Sequence, residues 1–293
     1  MATIATAARR PPLPATVRPV RVLQRVALYA LVVLVCAWVL FPVYWMLVTS
    51  LRPARYTMAY PPAFLPEEIR WSAYTELFQA IPIGLWLRNT AAVSAGTTLV
   101  TLACSILGAY ALSSFNWRGR SLFGLSLLGT QMLPEALLVI PIFIIFRRVG
   151  LIDTLQSLVV TDAAFAIPVG VWILKGFFDT IPREVREAAL VDGCTPLGVL
   201  WRVVLPLSLP ALVAVSVIAF FDGWNEYLFA STFITSNELR LATVGLASFI
   251  GELATPVELV FAATVLFTIP PIVFYFLMQR FLVSGLTGGA VKG

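Results

Sequence analysis

Six long blocks of apolar residues follow one another along the chain and limit its fold more than any other feature. They run from Val26 to Ser50, Leu87 to Phe115, Leu122 to Phe146, Leu155 to Phe177, Leu207 to Phe229 and Val257 to Phe281. Each block reaches the roughly 20 residues with which a helix crosses about 30 Å of hydrocarbon. The chain is 59% hydrophobic and 12% charged, whereas soluble domains average about 45–50% and about 25%. The blocks therefore predict an all-α membrane protein with six transmembrane helices.

The first block has the position of a signal peptide, but its length favours a retained span. It exceeds the usual roughly 7–15 apolar residues, and no small-residue cleavage site follows it. Basic residues favour the cytoplasmic side of short loops. Those that precede the block are Arg9, Arg10, Arg18, Arg21 and Arg25. With six crossings we expect a multi-pass protein of a bacterial or archaeal inner membrane, with both termini cytoplasmic. Arg147 and Arg148 then fall outside and oppose the rule, unless they snorkel from a helix end.

Three regions follow from this topology. Residues 1–25 mix prolines with arginines and are expected to form a flexible cytoplasmic segment. Residues 26–281 form the six-helix domain, which includes a long cytoplasmic loop at 178–206. Residues 282–293 form a cytoplasmic tail. On the outer side, the stretch from Trp71 to Phe78 predicts one interfacial helix, which serves either as a connector or as a docking site for a partner.

The long cytoplasmic loop has the signals of two short helices. Pro182 suits a helix start, and Gly193 suits the left-handed residue that ends a helix, so a helix is expected from Arg183 to Asp192. Thr195 is placed to cap a second helix that begins at Pro196. Such a pair could dock on a soluble partner, or it could be an ordinary amphipathic loop at the membrane surface.

Several motifs of this sequence, in order, resemble one family of transport proteins. Glu187-Ala188-Ala189, with Gly193 and then Leu205-Pro206, resembles the EAA loop of binding-protein-dependent ABC permeases. The smaller maltose-type permease subunit of the carbohydrate branch is similar at four further segments: Gly108-Ala-Tyr-Ala-Leu112, Met132-Leu-Pro134, Trp224-Asn-Glu-Tyr-Leu228 and the tail from Gly285 to Gly293. Cys194-Thr195 and Val185 depart from the family's usual loop.

The resemblance implies a type I ABC importer permease. Its partners would be a second homologous permease, two cytoplasmic ATPase subunits that bind ATP and Mg, and an extracytoplasmic sugar-binding protein. The resemblance also implies two sets of ATPase-contacting residues. The coupling set comprises Arg183, Glu184, Glu187, Ala188, Ala189, Asp192 and Gly193. The tail set comprises Gly285, Leu286, Thr287, Gly288 and Gly289.

Acidic residues inside the apolar blocks form a second candidate site. An unpaired acid at mid-helix costs about 2.5–3.5 kcal/mol on insertion scales, so Glu135, Asp162, Asp222 and Glu226 need partners or water. Asp222 and Glu226 are four residues apart, which would place them on one helix face about 6 Å apart along the axis. With Trp224 and Asn225 beside them, this face suits a sugar pathway. Alternatively, the acids pair with another helix and hold the bundle together.

Other functions are disfavoured by what the sequence lacks. It contains no histidine and no Gly-Lys dipeptide, so neither a zinc or haem site nor a phosphate-binding GxxxxGK[ST] loop is expected. No cofactor, metal or catalytic residue is therefore predicted for this chain, and ATP hydrolysis would belong to a partner. The net charge of +5 comes from basic residues beside the spans, which favours contact with the lipid bilayer rather than nucleic acid.

Two hypotheses about function remain at this point. The first is a passive pathway for a carbohydrate, such as a disaccharide or oligosaccharide, within an ATP-driven importer. The second is an ion-coupled secondary carrier or a membrane enzyme that uses the intramembrane carboxylates directly. The sequence does not identify the sugar: maltose-like, trehalose-like and other glycosides, a sugar phosphate and a polyol all stay open.

Overall fold

The protein is a bundle of α-helices. The computed structural model describes residues 19–57, 60, 64–66, 68–249 and 256–290. In chain order its helices are α1 Pro19–Ser50, α2 Ala54–Thr57, α3 Ser72–Ala80, α4 Ile83–Ser114, α5 Arg120–Thr130, α6 Glu135–Arg148, α7 Leu155–Phe178, α8 Arg183–Val191, α9 Pro196–Val199, α10 Leu205–Leu207, α11 Leu209–Trp224, α12 Leu228–Phe233, α13 Ala242–Phe249 and α14 Val257–Ala290. A π-helical turn, Leu200–Val204, joins α9 to α10, and a 3-10 turn, Asn237–Leu239, precedes α13.

Five segments of the described chain are long and apolar enough to cross a membrane. They are Leu23–Ser50, Ile83–Ser114, Leu155–Phe178, Leu209–Phe233 and Val257–Phe281. A sixth is obtained when α5 and α6 are counted as one span, although the two helices are bent by 100° at their break. The number of predicted spans is therefore confirmed, but the third is not the single helix predicted from Leu122 to Phe146.

The break between α5 and α6 has a local cause. Pro134 lacks an amide hydrogen and disfavours helical geometry in the residue before it, so α5 stops short of it. The Gln131 side chain then donates from Nε2 to the carbonyl oxygen of Phe165 on α7, at 2.9 Å. This bond fixes the break against the centre of the bundle.

The first helix begins earlier than predicted. It starts at Pro19 rather than Val26, so residues 19–25 are helical and are not part of a flexible segment. Proline is favoured at the first helical position, where its missing amide hydrogen has no helical partner to lose. The rest of the predicted flexible segment, residues 1–18, lies outside the described residues. From Leu23 to Tyr44 every side chain of α1 is exposed, as expected for a helix that faces lipid.

The centre of the bundle is α4, which packs closely on α7 and α11 through small residues. A Cβ atom on Gly223 of α11 would come within 2.9 Å of the Ser94 Cα atom. A Cβ atom on Gly170 of α7 would come within 2.4 Å of the Ser105 Oγ atom. Small residues allow transmembrane backbones to approach in this way. The three central helices are thus held in a fixed relative position.

The two ends of the bundle differ. One end carries α8 and α9 and is called the loop end here. At the opposite end α3 confirms the predicted helix near Trp71, and it buries Ala73 and Leu77 against Ile83 and Trp86 of α4 and Leu259 of α14. Since Leu259 is near the start of α14, this helix runs toward the loop end.

A polar contact ties two segments of the opposite end together. The Asp153 Oδ1 atom accepts hydrogen bonds from the backbone amides of Thr235 and Ser236, each at 2.9 Å. The amide of Asp153 in turn donates to the carbonyl oxygen of Phe233. The hydrogen bonds donated by the backbone amides of Ser236 and Thr235 lower the pKa of the Asp153 carboxyl group. The connection before α7 is thereby fixed to the one after α12.

Candidate functional site

Two short helices project at the loop end, as the sequence predicts. α8 ends at Val191, and Gly193 takes the left-handed conformation with φ of 86°. The amides of Gly193 and Cys194 bond back to the carbonyl oxygens of Leu190 and Ala189, each at 3.0 Å. The Thr195 Oγ1 atom accepts the amide of Gly198 at 3.1 Å and so caps α9. The turn between the helices is therefore set by one left-handed glycine and one side-chain cap.

The predicted coupling residues come together on α8 and its end. Ala189 is buried against the core, and the other six are exposed: Arg183, Glu184, Glu187, Ala188, Asp192 and Gly193. Large apolar side chains are exposed beside them. They are Val191 at 87%, Leu197 at 58% and Trp201 at 63% of their full area. The result is a surface of charged and apolar groups that suits contact with a protein.

The predicted tail is not a separate segment. α14 continues without a break from Val257 to Ala290, so residues 285–289 are helical and extend this helix at the loop end. The predicted boundary at residue 282 therefore does not mark a change of structure. The last three predicted tail residues, 291–293, lie outside the described residues.

A cavity of about 360 Å³ opens between α6, α7 and the segment that follows α11. Its lining combines acidic, amide and aromatic groups. The lining residues are Glu135, Asp162, Phe165, Phe221, Asp222, Asn225, Glu226, Tyr227, Leu228 and Phe229. All four intramembrane acids thus border one cavity.

The four acids differ in their surroundings. Asp162 and Glu226 are buried, at 6% and 9% exposure, while Glu135 and Asp222 are exposed. The Thr97 hydroxyl donates to Asp162 at 3.5 Å. The Glu226 Oε1 atom accepts the amides of Phe229 and Ala230, at 2.6 and 3.1 Å. The buried acids are therefore held by hydrogen bonds within the bundle, and the exposed acids are accessible to solvent.

The predicted helix face is correct in part. α11 ends at Trp224 and Asn225 is its C-cap residue, so Asp222 and Glu226 do not share one helix. Glu226 lies in the break and uses its carboxylate for the start of α12. Its backbone carbonyl accepts the Thr243 hydroxyl, which further stabilises the break. Even so, the cavity includes Asp222, Asn225 and Glu226.

Trp224 does not line the cavity. It is 1% exposed and packs between Phe220, at 5.6 Å between ring centroids, and Phe267 of α14, at 5.3 Å. The reason is helical geometry, because two residues after Asp222 the side chain points about 200° away, to the far side of α11. Trp224 thus packs the bundle instead of facing a solute.

The aromatic wall of the cavity was not predicted from the sequence. Phe165 and Phe229 stack with a centroid distance of 5.7 Å and an interplanar angle of 21°. Nothing distinguishes these two from the other phenylalanines of apolar blocks, so periodicity could not single them out. Hydroxyl-rich ligands suit such a site, because acids and amides bond hydroxyls while ring faces contact apolar sugar faces.

A bundle of apolar spans with a polar cavity among them and a two-helix loop at one end is typical of a membrane transport subunit. The chain belongs to the family of binding-protein-dependent transport system inner membrane components, whose model matches residues 101–288. The resemblance seen in the loop motifs is thereby confirmed.

Relatives match along almost the whole chain. The inner membrane ABC transporter permease protein YcjP of Escherichia coli is 36% identical over 278 residues, 93% of this chain and 98% of its own length. The trehalose/maltose transport system permease protein MalG of Thermococcus litoralis is 34% identical over 280 residues, 93% of this chain and 98% of its own length. A chain of a bacterial ABC transporter involved in importing the acidic polysaccharide alginate is 25% identical, with a TM-score of 0.78 over 92% of this chain and 99% of that chain.

Proposed function

We propose that this chain is the permease subunit of an ATP-driven importer that takes up a carbohydrate delivered by an extracytoplasmic binding protein. It forms the membrane pathway together with a second homologous permease. Two cytoplasmic ATPase subunits bind ATP and Mg and supply the energy. The family itself depends on binding proteins, and the trehalose/maltose relative supports a carbohydrate as the solute.

The observation that carries the proposal is the surface of the loop end. A left-handed glycine fixes α8 and α9 in one relative orientation, and their outward side carries acids next to exposed Val191, Leu197 and Trp201. Apolar side chains of this size would be shielded if a partner protein covered them. If a cleft on each ATPase accepts α8, both the projecting shape of the two helices and the mixture of acids and apolar side chains on their surface are explained.

The proposed importer function also implies how the chain is oriented in the membrane. The loop end faces the cytoplasm, where the ATPases are, and both termini lie on that side. Basic residues cluster at this end, as the positive-inside rule requires: Arg118, Arg120, Lys175, Arg183, Arg186 and Arg202. The opposite end, with α3 and the Asp153 contact, faces the binding protein.

The acidic cavity contributes to the solute pathway. Asp222 and Asn225 are exposed toward it and offer hydrogen bonds to sugar hydroxyls. Its wall of Phe165 and Phe229 offers ring faces. Since several carboxylates border the space, a neutral glycoside is favoured over an anionic sugar.

Affinity purification of the tagged chain from its own membranes tests the complex. The chain is solubilised in mild detergent, and co-purified proteins are identified by mass spectrometry. We expect three kinds of protein to co-purify: an ATPase, a second permease and a binding protein. The ATPase should be present in two copies for each copy of this chain. The binding protein is then screened by thermal shift against trehalose, maltose and other glycosides. A chain that purifies alone and still transports, driven by an ion gradient, would favour a secondary carrier instead.

A further inference from the structure

The two helices of the loop end are tied to one particular span. The Arg186 Nη1 atom of α8 donates to the Ser114 hydroxyl at 3.1 Å and approaches the Ser113 hydroxyl at 3.4 Å. Both serines belong to the last turn of α4, more than seventy residues earlier in the chain. The Arg186 Nη2 atom also donates to the Ile181 carbonyl oxygen at 3.2 Å, which holds the guanidinium in place.

The second helix is held by the same turn of α4. The Tyr110 hydroxyl donates to the carbonyl oxygen of Pro196, the first residue of α9, at 2.7 Å. The Tyr110 ring is buried, at 6% exposure, and meets Phe115 edge-on at 5.5 Å. One turn of α4 therefore contacts α8 through a charged side chain and α9 through a buried hydroxyl.

The other half of α4 contacts residues that line the acidic cavity or lie next to its lining. Thr97 of α4 bonds Asp162 in the cavity wall, and the α4 backbone at Ser94 is in close contact with Gly223 beside Asp222. α4 is one unbroken helix of 32 residues, about 48 Å long at 1.5 Å per residue. A rigid element thus reaches from the loop helices to α7 and α11 where these two helices form the cavity wall.

We propose that Arg186 and Tyr110 are positioning residues that make the loop helices and α4 move as one body, so that a displacement imposed on the loop shifts the cavity wall. This inference rests on the proposed function, because the ATPases supply the displacement. It adds the route by which their movement reaches the cavity. Neither residue is among the predicted coupling set, and Arg186 faces α4 rather than the exposed surface of α8.

Distances between pairs of spin labels test this directly. The complex of the full chain with its co-purified partners is placed in lipid nanodiscs, after Cys36, Cys104 and Cys194 have been replaced by serine. One pair, Val191→Cys with Leu107→Cys, reports α8 against α4. The other, Leu99→Cys with Ile140→Cys, reports α4 against α6, the helix that contributes Glu135 to the cavity. All four positions are exposed. Double electron–electron resonance is recorded without nucleotide and after trapping with MgATP and vanadate.

The parent complex is expected to keep the α8–α4 distance unchanged between the two states while the α4–α6 distance shifts. In Arg186→Ala and in Tyr110→Phe, the α8–α4 distribution should become dependent on nucleotide, and the α4–α6 shift should shrink or disappear. Arg186→Lys keeps a charged donor and should restore part of the shift. Arg202→Ala is the matched control, because Arg202 is an exposed arginine of the same loop whose side chain makes no hydrogen bond within the described residues.

The possible failures are distinguishable. If the parent complex shows no α4–α6 shift on trapping, the proposed ATP-driven function itself is contradicted. If the parent shifts and both Arg186→Ala and Tyr110→Phe shift equally, the loop acts on the cavity by another route and this inference is overturned. Tyr110→Phe removes a single hydroxyl and keeps the buried ring, so it gives a result even if Arg186→Ala does not assemble.

Discussion

Replacement of Gly193 by alanine isolates the contribution of one backbone conformation to ATPase docking. Gly193 has φ of 86°, and a Cβ atom at this position would meet nothing within 4 Å. The new methyl group therefore causes no clash. Any effect must come from the left-handed backbone, which L-residues other than glycine disfavour.

The size of the effect follows from that backbone. The left-handed conformation costs an ordinary L-residue about 1–2 kcal/mol, which corresponds to roughly a 5–30-fold change in an equilibrium. If the ATPase binds only the geometry seen here, its Kd for the permease should rise by that factor in Gly193→Ala. Asparagine visits this conformation more readily, so Gly193→Asn should lose less.

The assay is a titration of purified ATPase onto permease complexes in nanodiscs, followed by a fluorescent label on the ATPase. Gly176→Ala is the matched control, because Gly176 lies in α7 near the loop end and a Cβ atom there also meets nothing within 4 Å. It lacks the left-handed φ and should leave the Kd unchanged. Equal affinities for Gly193→Ala, Gly193→Asn and the parent would refute the role assigned to this turn.

Three further predictions concern the bundle and can be checked by thermal unfolding in detergent, monitored by size-exclusion chromatography. Gly223→Ala would bring a Cβ atom within 2.9 Å of the α4 backbone and should cost about 1–3 kcal/mol as overpacking, whereas Gly129→Ala, with open space around it, should not. Glu226→Gln keeps an oxygen acceptor for the two amides at the start of α12 and should preserve stability, while Glu226→Ala should lose about 0.5–2 kcal/mol, as for a helix cap; equal losses would contradict this role. The Ser236 and Thr235 amides lower the pKa of Asp153. The stabilisation from Asp153 is therefore complete above the ordinary carboxyl pKa and is lost as the pH falls through the lowered pKa. The fall in unfolding temperature on acidification should be smaller in Asp153→Ala than in the parent.

Hydrophobic block length and turn chemistry predicted most of this fold, because both signals are local. The number of spans followed from the length of apolar blocks. The loop followed from Pro182, Gly193 and Thr195, whose backbone preferences act within one turn. The interfacial helix near Trp71 followed in the same way. Each of these features depends on residues that are near one another in the sequence.

Features that depend on contacts between distant segments were not predictable in this way. Pro134 is a local signal for the end of α5, but nothing in the apolar block showed the 100° bend or the contact of Gln131 with Phe165 of α7 that holds it. Nor did the fifth block show that α11 would end at Trp224 and leave Glu226 to cap α12. Trp224 is a different case: helical geometry alone places it on the side of α11 opposite to Asp222, so its expected position in the cavity was wrong for a local reason. The link from Arg186 to Ser114 joins segments about seventy residues apart, and hydrophobic patterns carry no information about such pairs.

Uptake by reconstituted proteoliposomes distinguishes an ATP-driven importer from a secondary carrier. The purified complex is reconstituted with ATP and Mg enclosed in the vesicles, and the binding protein with its radiolabelled sugar is added outside. The account predicts sugar accumulation that requires ATP on the loop-end side, the binding protein and the ATPase, and that ceases with vanadate. Accumulation that is unaffected by removing ATP or the binding protein, and follows an ion gradient instead, would contradict it.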